Sequence, residues 1–322
     1  GITGPAFYTS DTIWDLTSLP ARLLVVGGGS VGCELGQAFA RLGSAVTIVE
    51  AGPRLLPRED PDAVALLASA LRVDGIDMRT GFSVTGFAGS TVQLADGTRI
   101  EFDVALLATG RTPRTMELGL TEAGVEVDAD GHVLVDRQLR TSNPRVWAAG
   151  DVTTYPPFTH SAGVYASTAA SNAVLGLRRS VDPDQIPRVT FTQPEIAAIG
   201  IGAEQARQER LTIRQVEHRH LDRAVAEQHP GGFSRLVLDR RGRVVGATLV
   251  GPRAGEALAE VALAVDLRLR ARALARSMHA YPTYADGVWN AAIVEVQAGL
   301  RRPAAQRVTR LLGRFRRRRV SR

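Results

Sequence analysis

A glycine-rich turn set between an apolar run and a helical stretch constrains this chain more than any other feature. The segment VVGGGSVGCELG, residues 25–36, places Gly27, Gly29 and Gly32 in the spacing G-x-G-x-x-G. Residues 21–26 before it suit a buried parallel strand, and a helix is expected after it to about Leu42. Residues 45–50, AVTIVE, read as the next strand, completing a βαβ unit. In that setting the backbone N–H groups and the helix N-terminus can face a pyrophosphate. Glu50 closes the second strand, 18 residues past Gly32, where an acid can accept a hydrogen bond from a ribose 2′-hydroxyl. A 2′-phosphate about 4 Å away would be repelled by roughly 1 kcal/mol per charge in water and ~4 kcal/mol at an effective dielectric of about 20. The expected dinucleotide is therefore NAD(H), with NADP(H) disfavoured. Arg54 is close enough in sequence to soften this bias, although it reads more naturally as a solvated loop residue.

Beyond this unit, a helix is expected over residues 61–73, with EDPD supplying acids to its first turn. Short strands follow over 75–110, with Asp96-Gly97 as a hairpin turn. Residues 111–185 read as a second αβ stretch. After Pro187 the pattern changes to strands at 233–239 and 244–251 around RRG, then helices at about 253–276 and 284–299. Strands grouped before helices indicate an α+β module.

Composition narrows the class. The chain has 322 residues, 44% hydrophobic and 22% charged, as in ordered globular proteins. No apolar run reaches the ~18 residues of a spanning helix. The single cysteine, Cys33, excludes an internal disulfide and fits a reducing, cytoplasmic compartment. The formal charge of +6 is unevenly placed: all 39 basic residues are arginine, and ten of them follow Leu300, where no acid falls. The remaining 29 arginines face 33 acids, so the body is about −4 and gives no support to nucleic-acid binding. An opening at Gly1, without methionine or leader, is what a fragment would show.

Three further motifs follow the turn at consistent distances: LLATGRTPRT (106–115), TSNPRVWAAGDVT (141–153) and HAYPTYADG (279–287). With it they resemble the pyridine nucleotide–disulfide oxidoreductases over nearly all of residues 1–300. PREDPD, GGFSRLVL and AGEALAEVALAV are closest to the mercuric-reductase-like members. The resemblance implies an α/β fold: a Rossmann-like NAD(P)-binding domain with entry linker (1–110), the C-terminal part of an FAD-binding domain (111–185), and an α+β dimerisation domain (186–300). An arginine-rich tail (301–322) follows. It further implies a homodimer and a flavin-dependent oxidoreductase carrying hydride from NAD(P)H through FAD to a small-molecule acceptor. Gly110 would close the NAD domain, Asp151 would meet the ribityl and pyrophosphate part of FAD, and Thr159 and His160 would lie along the flavin edge. Without the resemblance, His160 reads as a surface-loop histidine. The family's N-terminal segment, with the first FAD glycine turn and a redox cysteine pair, has no counterpart here, so stoichiometric FAD is not expected of this chain. Cys33 sits inside the NAD turn and reads as a helix-packing residue. Glu34, on the same helix, lies near the nicotinamide or is an ordinary exposed acid.

The family usually carries His-x-His-Pro-Thr-x-x-Glu where this chain has HAYPTYAD, so Tyr281 and Asp286 replace the proton-transfer pair, and His279 is left to packing. A tyrosine with a pKa near ~10 cannot shuttle protons at neutral pH as a histidine near ~6.5 can. Mercury(II) reduction remains an alternative, although no cysteine pair closes the chain. A non-catalytic dimerisation or membrane-associated module is another. Val308, Leu311, Leu312 and Phe315 fall at helical spacing among the tail arginines, which suits weak contact with an anionic membrane or a solvated tail. No metal site is expected.

Overall fold

The computed structural model describes residues 6–303 and 305–309, which form two compact units: residues 1–109 with 187–322, and residues 110–186. Of the tail's apolar residues, Leu311, Leu312 and Phe315 lie outside the described residues, and Val308 is 56% exposed.

The first unit contains the turn. Strand β1 (Ala6–Thr9) precedes β2 (Arg22–Val26), helix α1 (Ser30–Leu42), β3 (Ala45–Glu50), α2 (Pro61–Val73) and β4 (Asp77–Thr80). The hairpin strands β5 (Val84–Ala88), β6 (Thr91–Leu94) and β7 (Arg99–Glu101) then lead to β8 (Val104–Leu107). A five-stranded parallel sheet has the order β1-β8-β2-β3-β4, with β5-β6-β7 as a separate antiparallel sheet. The parallel order follows from composition: Leu23, Leu24, Val25, Ala105 and Leu106 are each no more than 1% exposed, as strands covered on both faces require. Each such aliphatic chain contributes roughly 1.5–3 kcal/mol on burial. The segment that reads as an entry linker adds its own edge strand, β1, against β8, with Phe7 edge-on to Phe87 and Phe102. Helix α2 starts as EDPD suggests: Pro61 stands in its first turn and the Asp60 carboxylate accepts from the Asp62 N–H at 2.9 Å.

The chain re-enters this unit at β9 (Arg188–Thr190) and β10 (Glu195–Gly200). It continues through α4 (Ala203–Gln208), β11 (Thr212–Glu217), α5 (Asp222–Ala226), β12 (Phe233–Leu238) and β13 (Val244–Gly251). These strands form an antiparallel sheet in the order β11-β12-β13-β10-β9. Helices α6 (Ala254–Asp266), α7 (Ala271–Arg276) and α8 (Asp286–Leu300) share a core with β10, β12 and β13 built on Leu236, Leu249, Val261, Leu274 and Val288. Ile196, Phe233 and Val250 join the core of the parallel-sheet layer instead. The continuous helix expected over 253–276 is broken. Arg268 takes a left-handed conformation (φ +51°) and the Leu269 N–H returns to the Ala264 carbonyl at 2.8 Å, a helix-ending turn.

The second unit holds helix α3 (Thr159–Leu175) over Leu139, Tyr165, Ala169 and Ile186. In the αβ stretch expected over 111–185, the segment 143–153 forms only isolated bridges, Arg140–Trp147 and Val133–Thr153. Its apolar residues are interrupted by turn formers: Asp128 accepts from the N–H groups of Asp130 and His132, and Asn143 from that of Arg145. Among the described residues no helix is long and apolar enough to cross a membrane.

Candidate functional site

The three glycines of the turn do different work. Gly27 has φ +111°, and a Cβ there would stand 2.4 Å from the Ala108 carbonyl oxygen. A Cβ on Gly32 would stand 2.0 Å from the Gly27 carbonyl oxygen. A side chain on Gly27 would push the turn off the end of β8, and one on Gly32 would push α1 off the turn. Gly29 caps α1 without a side-chain partner, and a Cβ on it would meet nothing within 4 Å. The start of α1 is thus left without a side-chain cap beside open space, an arrangement that can receive an anionic pyrophosphate.

Glu50 flanks the turn and also holds it. One carboxylate oxygen accepts from the Gly28 N–H at 2.7 Å and the other from the Gly52 N–H at 2.6 Å. Each oxygen keeps a further lone pair for a hydroxyl donor. This tethering was not read from the sequence. Arg54 is folded back on its own loop, donating to the Pro57 carbonyl at 2.8 Å.

Along α1, Glu34, Gln37 and Arg41 fall on one face and dock on residues 191–193. Glu34 accepts from the Phe191 N–H at 2.8 Å. Gln37 exchanges hydrogen bonds with the Gln193 backbone, donating at 2.8 Å and accepting at 2.7 Å, while Arg41 donates to the Gln193 side chain. Burial pushes the Glu34 carboxyl above the ordinary range, and the Phe191 N–H partly offsets it. Glu34 is therefore a partly buried acid tied to the antiparallel-sheet domain. Cys33 is fully buried with its thiol against the Gly28 carbonyl, and burial pushes its pKa up to about 12, which suits packing and not redox exchange.

In the second unit, Gly110 (φ +137°) and Gly150 (φ +81°) take conformations that favour glycine. Gly150 lies against Ala162 on the first turn of α3, which brings the AAGD turn to the helix start where Thr159 and His160 sit. Helix α3 has no side-chain cap. The His160 ring stacks on Phe158 with centroids 5.3 Å apart, and Asp151 pairs with Arg111 at 3.3 Å. An acid beside an uncapped helix start fits hydroxyl and phosphate groups of a dinucleotide.

The last motif lines a cavity of about 380 Å³ together with residues the sequence did not flag: His220, Asp222, Met278 and Trp289. Tyr281 and Asp286 both border it but are not hydrogen-bonded to each other. The exposed Tyr281 hydroxyl donates to the Asp222 carboxylate, which holds its pKa above the ordinary phenol value. Asp286 is 6% exposed and accepts from the Thr283 N–H at 3.0 Å. His279 pairs with Glu260 at 2.8 Å and tilts against Trp289, consistent with a packing role.

A second arrangement was also missed. Arg235 on β12, its side chain 4% exposed, donates to Asp60 at 2.5 Å and Asp62 at 2.7 Å, with its guanidinium 4.5 Å from the Phe233 ring centroid. Arg188 meets Glu59 at 3.0 Å beside it. Two of the three acids of PREDPD, Asp60 and Asp62, are thus the partners of the arginine in GGFSRLVL. In the second unit, Asp128, Asp130 and His132 also stand close enough together to hold a cation, although Asp128 already supports its turn.

The chain matches the pyridine nucleotide-disulphide oxidoreductase family over residues 1–166 and that family's dimerisation domain over residues 186–292. It is 36% identical over 305 residues to a dihydrolipoyl dehydrogenase of Thermus scotoductus, covering 89% of this chain and 66% of that protein. It is 35% identical over 298 residues to a mercuric reductase of Streptomyces lividans, covering 89% and 63%. Among solved structures, LpdA of Mycobacterium tuberculosis superposes with a TM-score of 0.82 at 30% identity, covering 88% of this chain and 63% of that one. The HOCl-induced flavoprotein disulfide reductase RclA of Escherichia coli gives 0.80 at 30%, covering 90% and 68%. The chain thus spans less than two thirds of the length of both curated relatives.

Proposed function

Because this chain belongs to the pyridine nucleotide-disulphide oxidoreductase family, we propose that it serves a flavoenzyme that passes hydride from NAD(P)H through FAD to a disulfide or another acceptor. The observation that carries this reading is the turn itself. Gly27 and Gly32 pack it, Gly29 leaves it open, and Glu50 stands at its edge. Its backbone N–H groups hold the pyrophosphate of the nicotinamide dinucleotide, and Glu50 takes the ribose hydroxyl, which favours NADH over NADPH. Glu34 holds the segment around Phe191 against the same helix. Residues 1–110 are the NAD(P)-binding domain, 111–185 the C-terminal part of the FAD-binding domain and 186–300 the dimerisation domain. Gly110 ends the first of these. Asp151, Thr159 and His160 line the flavin side, with Asp151 accepting from hydroxyl groups and the start of α3 facing phosphate. FAD, when bound, supplies the hydride-accepting ring and releases electrons to the acceptor.

The dimerisation-domain match supports a homodimer, and the single buried cysteine supports a cytoplasmic setting. Tyr281 is a neutral hydrogen-bond donor held by Asp222 and moves no proton near pH 7. Disulfides, whose reduction leaves a thiolate to be protonated, are then poorer acceptors than quinones, dyes or metal ions. Mercury(II) reduction is the second reading, supported by the similarity to the Streptomyces lividans enzyme.

The test is NADH oxidation by this chain joined to the family's N-terminal FAD-binding segment and loaded with flavin, with glutathione disulfide, lipoamide, a quinone and a dye in turn. The quinone and the dye should turn over faster, and Tyr281→His with Asp286→Glu should raise disulfide turnover. No NADH oxidation with any acceptor would overturn the hydride reading. Wild-type disulfide turnover equal to that of the double variant would overturn the role given to Tyr281.

A further inference from the structure

The segment LRLRARALAR, residues 267–276, carries four arginines and no acid. It spans the break between α6 and α7, and the turn between β12 and β13 lies directly beside it. Arg243 bridges Arg270, the Val244 N–H reaches the Leu269 carbonyl at 2.9 Å, and the Ala271 N–H reaches the Gly242 carbonyl at 2.9 Å. That turn adds Arg240, Arg241 and Arg243. A groove of about 730 Å³ opens here, lined by Arg268, Arg270, Arg272 and Arg276 together with the apolar Leu269, Ile293 and Val296.

Among the described residues, none of these seven guanidinium groups has an ion-pair or hydrogen-bond partner. The acid of the turn, Asp239, accepts at 2.8 Å from the backbone N–H groups of both Arg241 and Arg243. Seven arginines in this groove and the adjoining turn, unpaired among the described residues, make a concentrated field for a molecule whose first 300 residues sum to about −4. We propose that this face docks on the headgroups of an anionic phospholipid bilayer.

Three features favour a bilayer over other polyanions. Apolar side chains stand among the cations: Leu269, Ile293 and Val296 line the groove with the arginines, as an interfacial surface requires. No aromatic side chain lines the groove, so a nucleic acid finds no stacking platform. A second copy placed here by a two-fold axis would set arginine against arginine. Helix α8, which lines the groove with Ile293 and Val296, also leads directly into residues 301–322 and their ten further arginines.

The experiment is vesicle co-sedimentation of the full chain, comparing phosphatidylcholine alone with the same lipid containing about 30% phosphatidylglycerol, at low and high salt. The groove variant is Arg270→Glu with Arg272→Glu and Arg276→Glu; Arg268 is kept because its left-handed backbone ends α6. The tail variant replaces Arg316, Arg317, Arg318 and Arg319 by Glu. Wild type should bind only the anionic vesicles and release in salt, and the groove variant should bind at least about tenfold more weakly, with NADH binding unchanged. The same three sites changed to Gln keep the test valid should the Glu variant fail to fold, and should show a smaller loss in the same direction. Equal binding to neutral vesicles overturns the proposal, as does binding that the groove substitutions leave intact while the tail substitutions abolish it. Displacement from the vesicles by duplex DNA at equal phosphate concentration overturns it in favour of a nucleic acid.

Discussion

His218 is kept neutral by its surroundings. It is 2% exposed, with Nε2 3.0 Å from the Ser234 hydroxyl and Nδ1 buried without a partner. The ring fits because Gly232 and Gly251 have no side chains; a Cβ on either would stand 2.9 or 2.7 Å from Nδ1. Burial pushes the imidazole pKa down to about 4, against a small opposing pull from Glu217. The unfolded chain takes up this proton near pH ~6.5 and the folded one only near its lowered value. The unfolded state therefore binds more protons in between, and stability falls as pH drops through that window by about 3 kcal/mol in total. His218→Gln should flatten this part of the pH profile in urea unfolding, and an unchanged slope would show that His218 does not titrate as described. At this scale the sequence was informative where spacing carries meaning: Gly27, Gly29, Gly32 and Glu50 are recognisable from their intervals. Asp222 was not, because its contact with Tyr281 spans 59 residues of sequence and obeys no local pattern. The tethering of Gly28 and Gly52 by Glu50 was also hidden, since the residue type that suits a ribose suits backbone amides equally.

At the scale of elements, β12 and the start of α2 are joined by the buried pair of Arg235 and Asp60, whose side chains are 4% and 2% exposed. Removing one partner leaves a charge in a site that water barely reaches. Arg235→Ala should cost about 3–5 kcal/mol in denaturant unfolding. Arg235→Met combined with Asp60→Asn should cost clearly less than the sum of the single changes, since the substituted amide still offers an oxygen to the Asp62 N–H and no charge is stranded. Additive losses in that cycle would contradict a coupled pair. Both segments were legible separately, as an acidic helix start and an alternating strand, but 173–175 residues separate the partners and nothing local links them. The break at Arg268 was missed because helical periodicity continues across it. The second unit read as more regular than it is, because Val146, Trp147, Ala148 and Ala149 make a short apolar run like that of a buried strand, while Asn143 and Asp128 hold turns there and beside it.

At the scale of the molecule, a parallel sheet carrying the glycine turn and an antiparallel sheet carrying the Tyr281 cavity share one unit, and the other holds α3 and the Gly150 turn proposed for the flavin. Both sheet types were foreseeable, the first from unbroken apolar runs and the second from alternation. The account rests on the opening turn being a working NADH site with Glu50 as its discriminator. Calorimetric titration of the chain with NADH and NADPH, in wild type and Glu50→Gln, tests this most directly. Gln keeps one acceptor oxygen for the turn while removing the charge. Wild type should bind NADH saturably and NADPH at least about tenfold more weakly, and Glu50→Gln should narrow the gap. No binding of NADH, or equal affinities in the wild type, would contradict it.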